Sequence, residues 1–226
     1  MPGHFTFFTD NIQNNLAFFS EQETKHAILV LRYQIGDSIE FTSGNGIYYF
    51  GKIVEIQKKL FVATVESYKE QSQKNFVLAV GILKSSDRME WLVEKCSEIG
   101  VKQLIFLKSQ NGERSKINLE KLKKTAIAAL KQSHSAWLMD IQEMNFETAL
   151  NIDHQNKFIA YCNSETVQSL PLKFDDDSIV FIGPEGDFSM GEIDLAKSHG
   201  FQVIGLGSQI LRTETAAIVC ASWSLT

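Results

Sequence analysis

From residue 76 onward, short apolar runs alternate with segments whose apolar residues recur at helical spacing. The run at 76–82 has the length of a buried strand, and the segment 87–99 has an apolar face made of Met89, Leu92, Val93, Cys96 and Ile99. Further strands are predicted at 101–107, 158–162, 179–182 and 201–206, and further helices at 118–133, 190–199 and 213–225. This alternation predicts an α/β domain whose parallel sheet is covered by helices on both faces.

The first 70 residues follow a different pattern, with short β-branched and aromatic runs. Strands are predicted at 4–8, 39–42, 47–56 and 60–67, and a short helix at 21–31. Asn45-Gly46 is a strong hairpin signal, because both residues tolerate positive φ. The polar segment 68–75 is the best linker candidate. We therefore predict a small β-barrel domain at 1–70 and the α/β domain at 75–226, and assign no definite element to 139–157.

Composition narrows the class of protein without indicating a reaction. The chain has 226 residues and a net charge of −5. No apolar run approaches the roughly 20 residues that a membrane-spanning helix needs. The three cysteines lie far apart, outside any CxxC pair, and no metal-binding spacing occurs among the five histidines. We therefore expect a soluble, cytoplasmic protein without a metal site.

Two glycine-containing loops are the main candidates for a ligand site. Gly183-Pro184-Glu185-Gly186 follows one buried strand, and the segment 205–216 follows the next. Ligands of parallel sheets bind where strands end, so both loops should open on the same edge. The fingerprints GxGxxG, GxxxxGK[ST] and GxSxG are absent, which disfavours dinucleotide, P-loop and serine hydrolase chemistry. Small residues followed by Ile210 and Leu211 favour an uncharged, partly aromatic ligand held by backbone groups.

Positive charge is concentrated between residues 108 and 131, although the whole chain is acidic. The basic residues of this segment are Lys108, Arg114, Lys116, Lys121, Lys123, Lys124 and Lys131. Lys25, His26 and Arg32 form a second, smaller group. Either group could neutralise RNA phosphates through counterion release, or could be an ordinary solvated surface.

The two loops also carry a family resemblance. Ile182-Gly-Pro-Glu-Gly186, followed by Leu206-Gly-Ser-Gln-Ile-Leu-Arg-Thr-Glu-Thr-Ala216, closely resembles the paired C-terminal motifs of the 16S ribosomal RNA uridine-N3 methyltransferases of the RsmE family, in the SPOUT superfamily. Three other segments are similar to the same family: 26–37 to its N-terminal PUA-like domain, 94–101 to its first helix-to-strand segment, and 128–133 to a further motif. Motif order, spacing and total length all agree.

The resemblance implies an S-adenosylmethionine-dependent enzyme that methylates N3 of a uridine in 16S rRNA of the small ribosomal subunit. It also implies a deep trefoil knot in the C-terminal α/β domain and a homodimer. Carried over by position, the cofactor-binding residues are Gly183, Glu185, Gly186, Leu206, Gly207, Ile210 and Leu211. The RNA-binding candidates are Lys25, Arg32, Arg114, Lys116, Lys131 and Gln132.

Arg212 is the leading catalytic candidate, since a guanidinium could stabilise negative charge developing on the uracil oxygens. Its alternative role is a cap or an ion pair with Glu214. Glu185 is either a base or a brace for its loop. Two other functions stay open: a non-catalytic RNA-binding assembly factor on the same scaffold, and a related enzyme that methylates another base or a ribose 2′-hydroxyl.

Two positions depart from the family pattern. Many relatives have Gly-Gly where this chain has Gly186-Asp187, which adds a charge near the site. They also have an arginine shortly after the motif that ends at Ser133, and this chain has His134 there. The sequence leaves open the target nucleotide, the identity of the base, whether RNA contacts both subunits, and the effect of both departures.

Overall fold

The computed structural model describes residues 5–112, 116–162 and 176–224, which belong to two compact units. The first unit is formed by 1–73 together with 127–138, and the second by 74–126 together with 139–226. No helix within the described ranges is long and apolar enough to cross a membrane.

The first unit contains a curled, mostly antiparallel sheet of seven strands in the order β1-β4-β5-β6-β3-β2, with β7 also paired to β5. The strands are β1 (Thr6–Phe8), β2 (Ile12–Gln13), β3 (Leu16–Phe19), β4 (Ser38–Thr42), β5 (Ile47–Ile56), β6 (Phe61–Thr64) and β7 (Ser67–Glu70). The sheet curls at β5, because the first half of β5 pairs with β4 and β7 and its last residues pair with β6. The predicted barrel is thus found as a curled sheet.

An aromatic cluster fills the core of this unit. Phe7, Phe19, Phe41 and Phe61 are fully buried or nearly so. The rings of Phe19 and Phe61 stack with their centroids 4.1 Å apart, and Phe7 meets both of them edge-on. Ring pairs of this kind add to the stabilisation that burial gives.

The helix predicted at 21–31 is two elements. An α-helix, α1 (Glu21–Lys25), is capped by Ser20 and continues into a π-helical turn at His26–Val30. The Leu31 N–H donates to the His26 carbonyl at 3.1 Å, which is the i→i+5 bond of a π-helix. The linker predicted at 68–75 is also shorter than expected, because Ser67–Glu70 extends the sheet as β7.

The segment 127–138 packs within the first unit although it follows later in the chain. The Gly46 N–H donates to the Ala136 carbonyl at 2.8 Å, and the Trp137 indole N–H donates to the Gln71 carbonyl at 2.7 Å. A Cβ on Gly46 would lie 2.2 Å from the Trp137 ring, so the hairpin turn needs glycine there for this contact as well as for its φ of +87°.

The second unit contains a six-stranded sheet in the order β10-β9-β8-β12-β11-β13, in which every neighbouring pair is parallel. Its strands are β8 (Asn75–Gly81), β9 (Gln103–Lys108), β10 (Asp140–Asn145), β11 (Asn156–Ala160), β12 (Asp177–Ile182) and β13 (Gln202–Ile204). The helices after α1 are α2 (Ser86–Ile99), α3 (Leu119–Gln132), α4 (Phe146–Ala149), α5 (Met190–Ser198) and α6 (Thr213–Trp223). The predicted mixed α/β fold with a parallel sheet is confirmed.

One strand of this sheet was not predicted. β10 pairs with β9 at the sheet edge, inside the segment that was left without an element. Its sequence, Asp-Ile-Gln-Glu-Met-Asn, is mostly polar and none of its residues is fully buried. An edge strand of this kind lacks the apolar run by which the inner strands were recognised.

Candidate active site

A cavity of about 820 Å³ opens at the carboxyl ends of three neighbouring strands, β12, β11 and β13. It is lined by residues 160–162 at the end of β11, by 182–185 and 187 at the end of β12, and by 205–213 and 216 after β13. The two glycine-containing loops therefore open into one cavity, where the topology of a parallel sheet places a ligand.

The cavity brings together most of the residues predicted to bind the cofactor. Its lining includes Gly183, Glu185, Leu206, Gly207, Ile210 and Leu211, together with Arg212. Gly186 does not line it. The Gly186 carbonyl instead accepts a hydrogen bond from the Asn111 side-chain amide at 3.4 Å, outside the cavity wall.

The loop after β12 lies so close to β8 that a side chain would not fit between them. A Cβ on Gly81 would lie 2.4 Å from the Pro184 nitrogen and 2.8 Å from the Pro184 Cα, both backbone atoms. A Cβ on Gly183 would lie 2.8 Å from an Asp187 carboxylate oxygen. Glycine at these two positions lets the backbone form a thin wall for the cavity.

Asp187 has a structural role that the sequence did not reveal. Its φ is +57°, a left-handed conformation that glycine, asparagine and aspartate adopt more readily than other residues. One carboxylate oxygen accepts from the Phe188 N–H at 2.8 Å, and the other accepts from the Cys162 N–H at 3.4 Å. Asp187 thereby ties the loop after β12 to the end of β11.

Cys162 lines the same cavity but is not suited to act as a nucleophile. Burial raises the pKa of its thiol, and the neighbouring negative charge of Asp187 raises it further. The thiol therefore stays protonated at neutral pH, and the thiolate is the form that attacks.

Glu185 and Glu214 are joined through Arg88, a residue that sequence reasoning missed. The Arg88 Nη1 lies 3.9 Å from a Glu185 carboxylate oxygen, and its Nε lies 3.6 Å from a Glu214 oxygen. Glu185 also accepts from the Lys84 N–H at 3.5 Å. Arg88 stands in the first turn of α2, and nothing in its own segment linked it to loops that follow about a hundred residues later. It joins the loop after β12 to the start of α6.

Arg212 is not paired with Glu214 in this arrangement. It is the residue at the N-cap position of α6, but its side chain makes no capping hydrogen bond. Within the described ranges its guanidinium is in no ion pair, and the residue is exposed at the cavity wall. Arg212 therefore stands where a ligand in the cavity could contact it.

Replacing Arg88 with alanine should destabilise the protein by about 1–3 kcal/mol, because the Glu214 carboxylate would stay buried without its cation. The Glu214 side chain is only 9% exposed, and its second oxygen already has no partner within the described ranges. Urea unfolding measures the decrease. Lys95→Ala on the same helix is the control, since Lys95 pairs with Glu94 and Glu98, which are partly exposed, and its removal should cost much less. Equal destabilisation in the two variants would contradict a bracing role for Arg88.

The predicted RNA-binding residues lie on different parts of the chain. Lys25 and Lys131 line one cavity in the first unit, where Lys131 forms an ion pair with Glu23. Arg32 and Gln132 are exposed in the first unit, and Lys116 is exposed in the second unit. Arg114 lies outside the described residues. No group of three or more His, Cys, Asp or Glu side chains that could hold a metal ion is found in the part of the chain that the structure describes.

Comparison with known proteins gives the family. The model of an RNA methyltransferase domain matches residues 69–225, and that of an RNA methyltransferase PUA domain matches 19–66. A ribosomal RNA small subunit methyltransferase E from Buchnera aphidicola is 27% identical over 94% of this chain and 89% of the relative.

Solved structures agree with the family match. A structure described as a probable rRNA-methyltransferase from Porphyromonas gingivalis is 31% identical, with a TM-score of 0.89 over 97% of this chain and 96% of that one. A ribosomal RNA small subunit methyltransferase E from Neisseria gonorrhoeae, bound to S-adenosyl methionine, has the same fold at 23% identity, with a TM-score of 0.83 over 96% and 95% of the two chains. This chain belongs to the RNA methyltransferase family whose curated members are named ribosomal RNA small subunit methyltransferase E.

Proposed function

We propose that this protein transfers a methyl group from S-adenosylmethionine to N3 of a uridine in the 16S rRNA of the small ribosomal subunit. The observation that carries the proposal is that, in a chain of this family, the two glycine-containing loops line the same cavity. The names of the relatives support a small-subunit rRNA substrate, and the cofactor bound to the Neisseria protein supports the methyl donor.

The cavity suits S-adenosylmethionine in size and in chemistry. Its volume of about 820 Å³ is within the usual range for small-molecule sites. Residues 205–211 form much of its wall and include the apolar Leu206, Ile210 and Leu211, which fits a partly apolar ligand such as an adenine ring. When bound, the cofactor supplies an electrophilic methyl group on a sulfonium.

We propose that Arg212 contacts the uracil ring that is methylated. Removal of the N3 proton places negative charge on the uracil carbonyl oxygens, and a guanidinium at the cavity wall stabilises charge of that kind. Glu185 is better suited to position its loop than to act as a base, because its carboxylate faces Arg88 and the Lys84 N–H.

We also propose the wider organisation of the protein. We propose 1–70 as a PUA-like RNA-binding domain and 75–226 as the SPOUT methyltransferase domain; the two family matches support this division. A trefoil knot is supported by α6, which follows the edge strand β13 yet lies against α2, β8 and β12. We further propose a homodimer that acts on ribosomal subunits in the cytoplasm.

Methyl transfer to unmodified small ribosomal subunits tests the function. Nucleoside mass spectrometry of the product should show 3-methyluridine. Methyl groups on another base or on a ribose hydroxyl would refute the position, and calorimetry showing no binding of S-adenosylmethionine would favour the non-catalytic assembly factor.

The exposed lysines of α3 should contribute to RNA binding through charge alone. We expect Lys123→Gln with Lys124→Gln to reduce the slope of log K against log salt by about 0.7 to 0.9 for each phosphate that these side chains neutralise. Lys121→Gln is the matched control on this helix, because the Lys121 ammonium already pairs with Glu90 and should change the slope less. An unchanged slope in the double variant would show that this face is only solvated.

A further inference from the structure

The first unit contains a second cavity, of about 320 Å³, that the proposed reaction does not use. Its lining residues are Phe5, Gln22, Glu23, Lys25, His26, Leu29, Val30 and, from the end of α3, Lys131. None of these residues lines the larger cavity. Its volume lies at the lower end of the range for small-ligand sites, and it is large enough for one nucleobase.

Two residues of the lining each carry a buried polar atom that has no hydrogen-bond partner among the described residues. Glu23 is 6% exposed, and one of its carboxylate oxygens accepts from the Lys131 ammonium. The other oxygen, and the Nε2 of His26, are buried without a hydrogen-bond partner within the described ranges. Buried polar groups are nearly always paired, so two unpartnered atoms on side chains that line one cavity are the groups that we expect a ligand to complete.

The backbone of this lining is also unusual. Residues 26–30 form the π-helical turn, and Arg32 directly beyond it has a φ of +60°. Single π turns occur often at functional sites, and non-glycine residues with positive φ are uncommon. The turn leaves Leu29 and Val30 beside the cavity at 73% and 63% exposure, so two adjacent aliphatic side chains are accessible there.

The chemistry of the lining fits a flat, uncharged ring that donates N–H groups. The Phe5 ring lies 4.5 Å from the His26 ring, and the Lys131 ammonium lies 5.5 Å from the Phe5 ring centroid. Aromatic and aliphatic groups thus form the walls, and a carboxylate oxygen is the available acceptor. The negative charge of Glu23, which pairs with Lys131, makes this lining a less favourable place for a phosphate than for an uncharged ring.

We propose that this cavity binds one unstacked nucleobase of the RNA substrate, with Glu23 and His26 on the base edge and Leu29 and Val30 against its face. RNA-binding proteins commonly hold single-stranded bases in this way, by stacking and edge contacts. The identification of the ligand as RNA rests on the proposed function, and the match of residues 19–66 to an RNA methyltransferase PUA domain supports it. Lys25 and Arg32 lie close enough in sequence to contact the flanking phosphates.

NMR of the full, isotope-labelled chain tests the site without a methyl-transfer step. AMP, GMP, CMP and UMP are titrated separately, with ribose 5-phosphate and inorganic phosphate as probes that lack the base. We expect the amide signals of residues 22–30 to shift with at least one nucleotide and with neither base-free probe. Equal shifts with ribose 5-phosphate would show a phosphate site, and no shift with any nucleotide would overturn the proposal.

Variants extend the test to a single-stranded RNA dodecamer, measured by fluorescence anisotropy. His26→Phe keeps the ring beside Phe5 and removes Nε2, and Leu29→Ser changes an exposed residue that the fold does not need. Each should weaken binding by about tenfold, because His26→Phe removes a polar contact to the base edge and Leu29→Ser removes an apolar contact to its face. Val54→Ser is the control, since Val54 is a 45% exposed residue of the same unit outside the cavity. Weaker binding in all three variants, or in none, would refute the site.

The proposed function and this inference can fail separately. Nucleotide-dependent shifts in a protein that transfers no methyl group would refute the function and leave the base site standing. Normal formation of 3-methyluridine without any nucleotide-dependent shift would support the function and refute the base site. The exposed Leu29 and Val30 would then be better explained as a contact surface for another protein.

Discussion

Arg212→Ala should reduce the rate of methyl transfer by about 10²–10³-fold while the affinity for S-adenosylmethionine changes little. The guanidinium is unpaired within the described ranges and stands at the wall of the cavity, so its charge can act on the uracil oxygens. Single-turnover kinetics on small ribosomal subunits measure the rate, and calorimetry measures the affinity. A decrease confined to the rate is what removing an interaction made only in the transition state gives.

Arg212→Lys is the conservative comparison. A lysine keeps the positive charge but not the planar fork of donors, so it should recover part of the rate. If Arg212→Ala kept near-normal turnover, the charge on the base would be stabilised elsewhere. If it instead abolished cofactor binding, Arg212 would belong to the cofactor site.

Gly81→Ala should weaken cofactor binding and lower the free energy of unfolding by about 1–3 kcal/mol. The new methyl group would overlap the Pro184 backbone at 2.4 Å, and backbone cannot yield as the end of a flexible side chain can. The loop after β12 would have to move away from β8, which changes the wall of the cavity. Calorimetry with S-adenosylmethionine and urea unfolding measure the two effects.

Gly191→Ala is the matched control. Gly191 lies in α5, and the nearest atom to an added Cβ would be the Ser189 hydroxyl oxygen at 4.0 Å. Alanine is favoured over glycine within a helix, so this variant should be neutral or slightly stabilised. Comparable effects at both positions would mean that the close approach of Gly81 to Pro184 is not what shapes the cavity.

The sequence was most informative where one segment carried its own signal. The inner strands of the second unit are continuous apolar runs, so their positions and their parallel arrangement followed from the pattern. The two loops were predicted to share one edge because both follow such strands, and Gly183 and Leu206 do line one cavity. Here local pattern and tertiary structure agree.

The remaining features depend on contacts between segments that are distant in sequence. β10 is too polar to be recognised as a strand until it is paired with β9. The role of Asp187 depends on the N–H of Cys162, and that of Arg88 depends on Glu214. The π-helical turn at His26–Val30 was not distinguished from the rest of the helix predicted at 21–31.

The first unit cannot be completed during synthesis until segment 127–138 has been made. The first unit includes this segment, which lies well beyond its other residues at 1–73, and Gly46 and Gln71 bond to it. The curled sheet therefore leaves the ribosome with one side of its hairpin uncovered. At about 5–20 residues per second, several seconds pass before Trp137 has been made. During that interval the hairpin at Gly46 is a surface that a chaperone, or another unfinished chain, can reach.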